Sequence, residues 1–172
     1  EYFGEHFSSR QVFELCKDIQ AEYQTNLKDL AQLNKAAMSL EKNILDMRLV
    51  FAIDPERGNW RDKSNNDIIQ QAIGHVTKSF DFLYDVLKLA ISRSDAIDNC
   101  FERLCQMRGK FDKVNQTQDA GFSYWFETTK RHFTLHITPL SLADKFGGYV
   151  KESSSSWIFT SATVSVDEQF EH

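Results

Sequence analysis

A hydroxyl-rich tetrapeptide near the carboxyl end is the most specific chemical feature of the sequence. Thr160-Ser161-Ala162-Thr163 directly follows Trp157-Ile-Phe159, an apolar run that predicts a short buried strand. A Ser or Thr hydroxyl can donate one hydrogen bond and accept two. We therefore expect a hydroxyl-rich turn at the end of a buried strand.

Two groups of basic residues each lie near an aromatic residue, as in surfaces that track a single nucleic-acid strand. The loop group is Arg57, Trp60, Arg61 and Lys63, and the late-helix group is Arg103, Arg108, Lys110 and Lys113. The alternative is structural: Trp60 plugs the end of a helical bundle and the cations complement a helix carboxyl terminus. The sequence leaves both interpretations open.

Metal-ligand patterns are weak. His132 and His136 have the even spacing that places two side chains on one face of a strand, but no third ligand stands at a defined spacing. Cys16, Cys100 and Cys105 are an odd number on apolar helix faces, which predicts reduced thiols rather than disulfides or cluster ligands. The Gly-Lys pair at 109–110 lacks the remaining residues of a phosphate-binding loop. We expect no metal or nucleotide site in this chain.

The first two thirds of the chain should be helical. Pro55 and Pro139 are its two prolines, so long helices can run without interruption. Ser8 and Gln11 have the form of a capping box, which predicts a helix start at Ser8. A break is expected near Gln24-Thr25-Asn26, a loop over residues 53–66, and a cap at Ser94-Asp95. Three seams with spacings of three and four residues predict helices that pack together: Leu30 to Phe51, Ile69 to Ala90, and Ile97 to Val114.

The chain changes character after Gln118. Residues 122–127 are rich in aromatic and β-forming types, and residues 132–137 alternate with period two, which predicts a hairpin or two neighbouring strands. Thr138-Pro139 should begin a short helix that ends at Gly147-Gly148. With the strand over residues 156–160, this order suggests a crossover unit of a parallel sheet whose other strands lie outside the sequence.

The composition indicates a globular protein and limits the partners to be expected. The chain has 172 residues, 41% of them hydrophobic, and a formal charge of −5, so a packed core is expected and a broad basic field is not. It lacks both an apolar stretch of about 20 residues and a signal-peptide pattern, and we predict a cytoplasmic protein without a membrane contact. The initial residue is Glu1, and the chain is interpreted as a segment of a larger protein.

The tail resembles a known family. Thr160-Ser161-Ala162-Thr163 resembles motif III of superfamily 2 helicases, and the preceding residues 138–143 and the following Val164-Ser165-Val166 extend the match. Together with Tyr124-Trp125, this layout is similar to the DinG/YoaA-like branch of the XPD-like ATP-dependent DNA helicases. In these helicases a helical insertion, the arch domain, lies between the Asp-Glu-Ala-His box and motif III. Residues 8–117 occupy that place.

The resemblance implies a fold and a function. The fold is expected to be mainly α, with a helical arch-like domain over residues 1–118 and a returning α/β segment of the first motor domain over residues 119–172. The function is that of a 5′-to-3′ DNA repair or replication helicase, with Thr160, Ser161, Ala162 and Thr163 coupling ATP hydrolysis to unwinding. ATP, Mg²⁺ and a 4Fe-4S cluster are expected in the rest of the protein and none in this segment, which should be inactive alone. Single-stranded or forked DNA is the implied partner, and the arch could also bind a protein.

Two other hypotheses compete with the helicase. The chain could be a free-standing helical interaction module with no catalytic role, or a small metal-dependent enzyme that uses His132, His136 and a carboxylate such as Glu127. The first predicts that residues 119–172 complete a sheet without the rest of a motor domain. The second predicts bound metal in the purified chain.

Overall fold

The structure, a computed structural model, describes residues 4–140, which lie within one compact unit. Four long helices and a four-stranded sheet make up this part, and the predicted mainly helical fold with a smaller α/β part is confirmed. None of the described helices is both long and apolar enough to span a bilayer. The predicted helix after Pro139, the strand over residues 156–160 and Thr160-Ser161-Ala162-Thr163 lie outside the described residues.

The helices follow the apolar seams. They are α1 (Ser9–Asn26), α2 (Ala31–Val50), the single turn α3 (Trp60–Lys63), α4 (Asp67–Lys88) and α5 (Asp95–Asn115). The seam residues are buried with three exceptions, Leu30, Ile73 and Met107, which are half-buried. Helix α2 packs against α1 and α4, and α5 packs against the same two helices. The three predicted seams therefore share one core.

The predicted helix boundaries have a mixed outcome. Helix α1 ends at Asn26, as the polar triplet indicated, and the Ser94 hydroxyl accepts a hydrogen bond from the Ile97 N–H at 3.2 Å to cap α5. The predicted helix start is confirmed, because Ser8 directly precedes α1, but the predicted capping box is wrong. Ser8 makes no side-chain cap because it ends a strand, and the next residue, Ser9, accepts a buried hydrogen bond from the Phe133 N–H at 3.0 Å.

The sheet is antiparallel in all its described pairs. The predicted hairpin is confirmed as β3 (Phe122–Thr128) and β4 (Phe133–Pro139), and Pro139 ends β4 within the described chain. Two strands were missed: β1 (Glu5–Ser8) and β2 (Arg57–Asn59). The strand order β1-β4-β3-β2 joins residues on both sides of position 118. The division at 118/119 stays a prediction about the whole protein.

Aromatic side chains on the inner face of the sheet pack against the helical core. Phe7 of β1 packs against Phe80, Phe111 and Phe133 with ring centroids 4.8–6.3 Å apart. At the opposite edge of the sheet, Gly58 allows β2 to lie close to the Phe126 ring of β3, because a Cβ at Gly58 would stand 2.9 Å from that ring. The remaining, outward face of the sheet is free to carry polar side chains.

Candidate nucleic-acid interface

The outward face of the sheet collects polar and aromatic side chains from all four strands. Side chains alternate between the two faces of a strand, so the neighbours of the buried residues point outward. The register aligns these residues across the sheet in two rows. One row is His6, His136, Trp125 and Asn59, and the next is Ser8, Thr134, Glu127 and Arg57.

A stack of rings and one cation runs across this face. The Trp125 and His136 rings are parallel within 3°, with centroids 3.7 Å apart. The Arg57 guanidinium lies over the Trp125 ring, 4.9 Å from its centroid, and the His6 ring lies 5.9 Å from that of His136. We define Arg57, Trp125, His136 and His6 as the sheet-face stack. Rings and cations of this kind are the components of single-strand binding surfaces.

The Glu127 carboxylate contacts two members of the sheet-face stack, Arg57 and His136. One carboxylate oxygen accepts a hydrogen bond from Arg57 at 2.7 Å, and the other lies 3.1 Å from Nε2 of His136. The hydrogen bond from Arg57 lowers the pKa of Glu127, while burial lowers the pKa of His136 despite the opposing effect of Glu127. At neutral pH a neutral imidazole can donate from Nε2 to the ionised carboxylate.

Two shallow grooves flank the stack. The first has a volume of 320 Å³ and lies beside β2, lined by Arg57, Gly58, Asn59, Ser123, Tyr124 and Trp125. The second has a volume of 420 Å³ and lies between β1, β4 and the start of α1, where its lining includes His6, His136, Arg10, Glu14 and Glu127. We call these the β2 groove and the β1 groove.

The structure separates the residues of the predicted loop group. Arg57 belongs to the sheet-face stack, whereas Trp60 is fully buried between Phe51 and Phe126, as the structural alternative expected. Arg61 lies over the Tyr124 ring and donates to the carbonyls of Asp119 and Phe122. Lys63 pairs with Glu56 at 3.2 Å. Of these four residues, Arg57 is therefore the one that joins the stack.

The late-helix group makes a different set of contacts. Arg103 pairs with Asp18 of α1, Arg108 with Asp81 of α4, and Lys113 with Glu5 of β1. Within residues 4–140 Lys110 has no ion-pair partner, and it lines a groove between α1 and α5 together with Arg103 and Glu14. Three of the four charges are thus used to join elements of the fold.

His132 and His136, which the sequence offered as a weak metal-ligand pattern, do not lie together. His132 packs against Phe13, with centroids 5.6 Å apart, while His136 lies in the stack. Between residues 4 and 140 no three His, Cys, Asp or Glu side chains are grouped to hold a metal ion.

The cysteines of the chain are all described and are free thiols. Cys16 and Cys100 are buried in the helical core, and burial raises the pKa of Cys16 to about 12. A thiol with so high a pKa stays protonated, and a metal ligand must be a thiolate. Cys16 is therefore a poor ligand for an iron–sulfur cluster.

Sequence comparison reveals relatives along the entire chain. It is 41% identical over 173 aligned residues to the ATP-dependent DNA helicase YoaA of Haemophilus influenzae and 43% identical over 172 residues to that of Escherichia coli. The predicted resemblance to DinG/YoaA-like helicases is confirmed. Each alignment covers 100% of the chain but 27% of the relative, so the chain spans about a quarter of these helicases. No protein-family model and no solved structure matches the chain.

The sheet-face stack was missed at the level of sequence because its members are far apart along the chain. The signal that could have revealed it is the outward alternation of Ser123, Trp125 and Glu127 in one strand and Thr134, His136 and Thr138 in the next. Pairing these strands places Trp125 opposite His136. The contribution of Arg57 required β2, which at three residues carries almost no periodic signal.

Proposed function

We propose that the chain is a segment of an ATP-dependent DNA helicase that acts in DNA repair or replication. The observation that carries this proposal is 41–43% identity over the whole chain to two proteins named ATP-dependent DNA helicase YoaA. The chain lacks a phosphate-binding loop, so ATP and Mg²⁺ would bind residues outside it. The protein would act in the cytoplasm, and the 4Fe-4S cluster would use cysteines other than Cys16, Cys100 and Cys105.

The two parts of the chain have different proposed roles. Residues 1–118 would form the arch-like domain that helps enclose single-stranded DNA during 5′-to-3′ unwinding. Residues 119–172 would return the chain to the first motor domain. The Thr160-Ser161-Ala162-Thr163 motif would couple ATP hydrolysis to strand movement, because hydroxyls that both donate and accept can exchange partners between nucleotide states.

Substitutions in the motif test this coupling role in the full-length protein. Ser161→Ala with Thr163→Ala should leave ATP affinity nearly intact while the unwinding rate falls. Ser153→Ala, a serine of the same tail outside the motif, provides the matched control and should leave both quantities unchanged. Equal loss of ATP affinity and unwinding in the double variant would contradict coupling.

A helical interaction module is the second candidate function. Helix α2 exposes Met38, Leu45 and Leu49, whose spacings of seven and four residues place them along one helix face, and Leu49 is 80% exposed. Such a stripe could bind a protein partner. The gene sequence upstream of Glu1 separates the two candidates. An Asp-Glu-Ala-His box there supports the helicase, whereas its absence favours the module.

A further inference from the structure

The two grooves beside the sheet-face stack differ in charge. The lining of the β2 groove contains one cation, Arg57, and no carboxylate. The lining of the β1 groove contains Glu14 and Glu127 against a single arginine, Arg10. An anionic ligand is therefore opposed in the β1 groove, whereas in the β2 groove it competes with Glu127 for the Arg57 guanidinium.

Trp125 is held in place as one wall of the β2 groove. The His136 ring covers one of its faces at 3.7 Å, and its indole N–H donates to the Thr138 hydroxyl at 3.1 Å. These contacts fix the ring plane before any ligand arrives. A fixed aromatic surface loses little conformational entropy when a ligand stacks on it.

Arg57 is far less constrained than Trp125. Its side chain is 69% exposed and is held over the ring by one ion pair with Glu127. Exposed ion pairs contribute little to stability, so the guanidinium can leave this position at small cost. The position it vacates lies over the Trp125 ring and opens into the β2 groove.

We propose that the β2 groove binds one base of single-stranded DNA, stacked on Trp125. Arg57 moves from Glu127 to the adjoining phosphate, and the base lies beside Asn59 and Ser123, which line the same groove. The Asn59 side-chain oxygen still accepts from the Asp62 N–H. Single-stranded DNA supplies the flat ring and the neighbouring negative charge that this arrangement fits. The inference rests on the proposed helicase function and adds a site to it.

The titration of the chain with a 12-residue oligodeoxythymidine tests the site. In the NMR spectrum the Trp125 indole N–H and the amides of Arg57 and Asn59 should shift and saturate together at oligonucleotide concentrations above about a micromolar, since one base supplies little affinity. Inorganic polyphosphate at the same charge concentration should not shift the indole. Unmoved β2-groove signals, or shifts confined to α5, would overturn the proposal, as would an equal response to polyphosphate.

Variants separate stacking from folding. Trp125→Leu should weaken the binding about five- to a hundredfold, the range for loss of one stacked base. Arg57→Gln is the second variant, in case Trp125→Leu does not fold. The Arg57 side chain is exposed and should not be needed for packing. This variant should weaken oligonucleotide binding severalfold. Arg93→Gln, which breaks the exposed pair with Asp29, is the matched control. Unchanged binding in Arg57→Gln would contradict the site.

The full-length protein distinguishes failure of the site from failure of the helicase proposal. If ATP hydrolysis depends on single-stranded DNA but Arg57→Gln leaves the DNA concentration for half-maximal stimulation unchanged, the groove inference fails and the helicase stands. If the protein hydrolyses no ATP with DNA present, the proposed function itself fails. A severalfold rise in that concentration supports both.

Discussion

The guanidinium of Arg48 binds the carbonyl oxygen of Thr129, a residue 81 positions later in the chain. Nε and Nη2 of Arg48 donate to this oxygen at 2.8 and 2.5 Å, and Nη1 donates to the carbonyl of Ala52 at 3.0 Å. The arginine is 6% exposed at the end of α2, and Thr129 lies in the turn between β3 and β4. One buried side chain thus ties the helical part to the sheet.

Replacing Arg48 should therefore destabilise the fold. Arg48→Met removes the hydrogen bonds that this buried, charged side chain donates to the carbonyls of Thr129 and Ala52, which should lower the free energy of unfolding by about 1.5–3 kcal/mol. Arg10→Met is the matched control, because Arg10 is 74% exposed and its pair with Glu14 contributes little. Chemical denaturation of both variants measures the difference. Equal midpoints would contradict the role of Arg48.

Trp60 should behave as a core residue and not as a DNA contact. It is fully buried, with its ring 6.0 Å from that of Phe51 and 6.2 Å from that of Phe126. Trp60→Ala should cost about 3–5 kcal/mol of unfolding free energy, as other large-to-small aromatic substitutions in cores do. Denaturation of the purified variant measures this cost. Native stability combined with weaker DNA binding would restore the binding interpretation.

Acidification should destabilise the chain through its sheet histidines. Burial lowers the pKa of both His132 and His136 from the ordinary 6.5, so the unfolded chain binds more protons as the pH falls through that value. The stabilisation is complete above about pH 6.5 and is lost below it. The melting temperature should fall between pH 7.5 and pH 5.5, and the double variant His132→Asn, His136→Asn should show a smaller fall. A melting temperature that rises on acidification would contradict these shifts.

The isolated chain should bind single-stranded DNA weakly. Its formal charge is −5, and Arg103, Arg108 and Lys113 are already paired with carboxylates. Tight binding requires several free cations that displace counterions from phosphates. Fluorescence anisotropy with a labelled oligodeoxythymidine should give a dissociation constant above about a micromolar. A smaller, strongly salt-dependent constant would show that the cations act together.

The long helices and the hairpin could be predicted from the sequence, whereas the short strands could not. Helices α2, α4 and α5 carry seams several turns long, and β3 and β4 each carry seven residues of alternating or aromatic pattern. Strands β1 and β2 have four and three residues and depend on partners more than 60 positions away. Local patterns cannot report such pairings, so the sequence shows Ser8 as the residue before α1 but not as the last residue of β1.

The candidate site was predicted only in part for the same reason. Arg57 was singled out because a cation near an aromatic residue is visible in the sequence, but the neighbouring tryptophan in the chain, Trp60, is not its partner. The sheet instead brings Trp125 to Arg57 from the other end of the described chain. Arg48 could not be predicted either. Nothing in the sequence indicates that this arginine, which follows the buried Met47, is itself buried and donates to the distant carbonyl of Thr129.

Strand displacement by the full-length protein is the most direct test of the helicase proposal. With ATP and Mg²⁺, the protein should unwind a duplex that carries a 5′ single-stranded tail, and it should leave a duplex with a 3′ tail intact. Unwinding should stop when a non-hydrolysable ATP analogue replaces ATP. Absence of both DNA-stimulated ATP hydrolysis and strand displacement in the folded full-length protein would contradict the proposal.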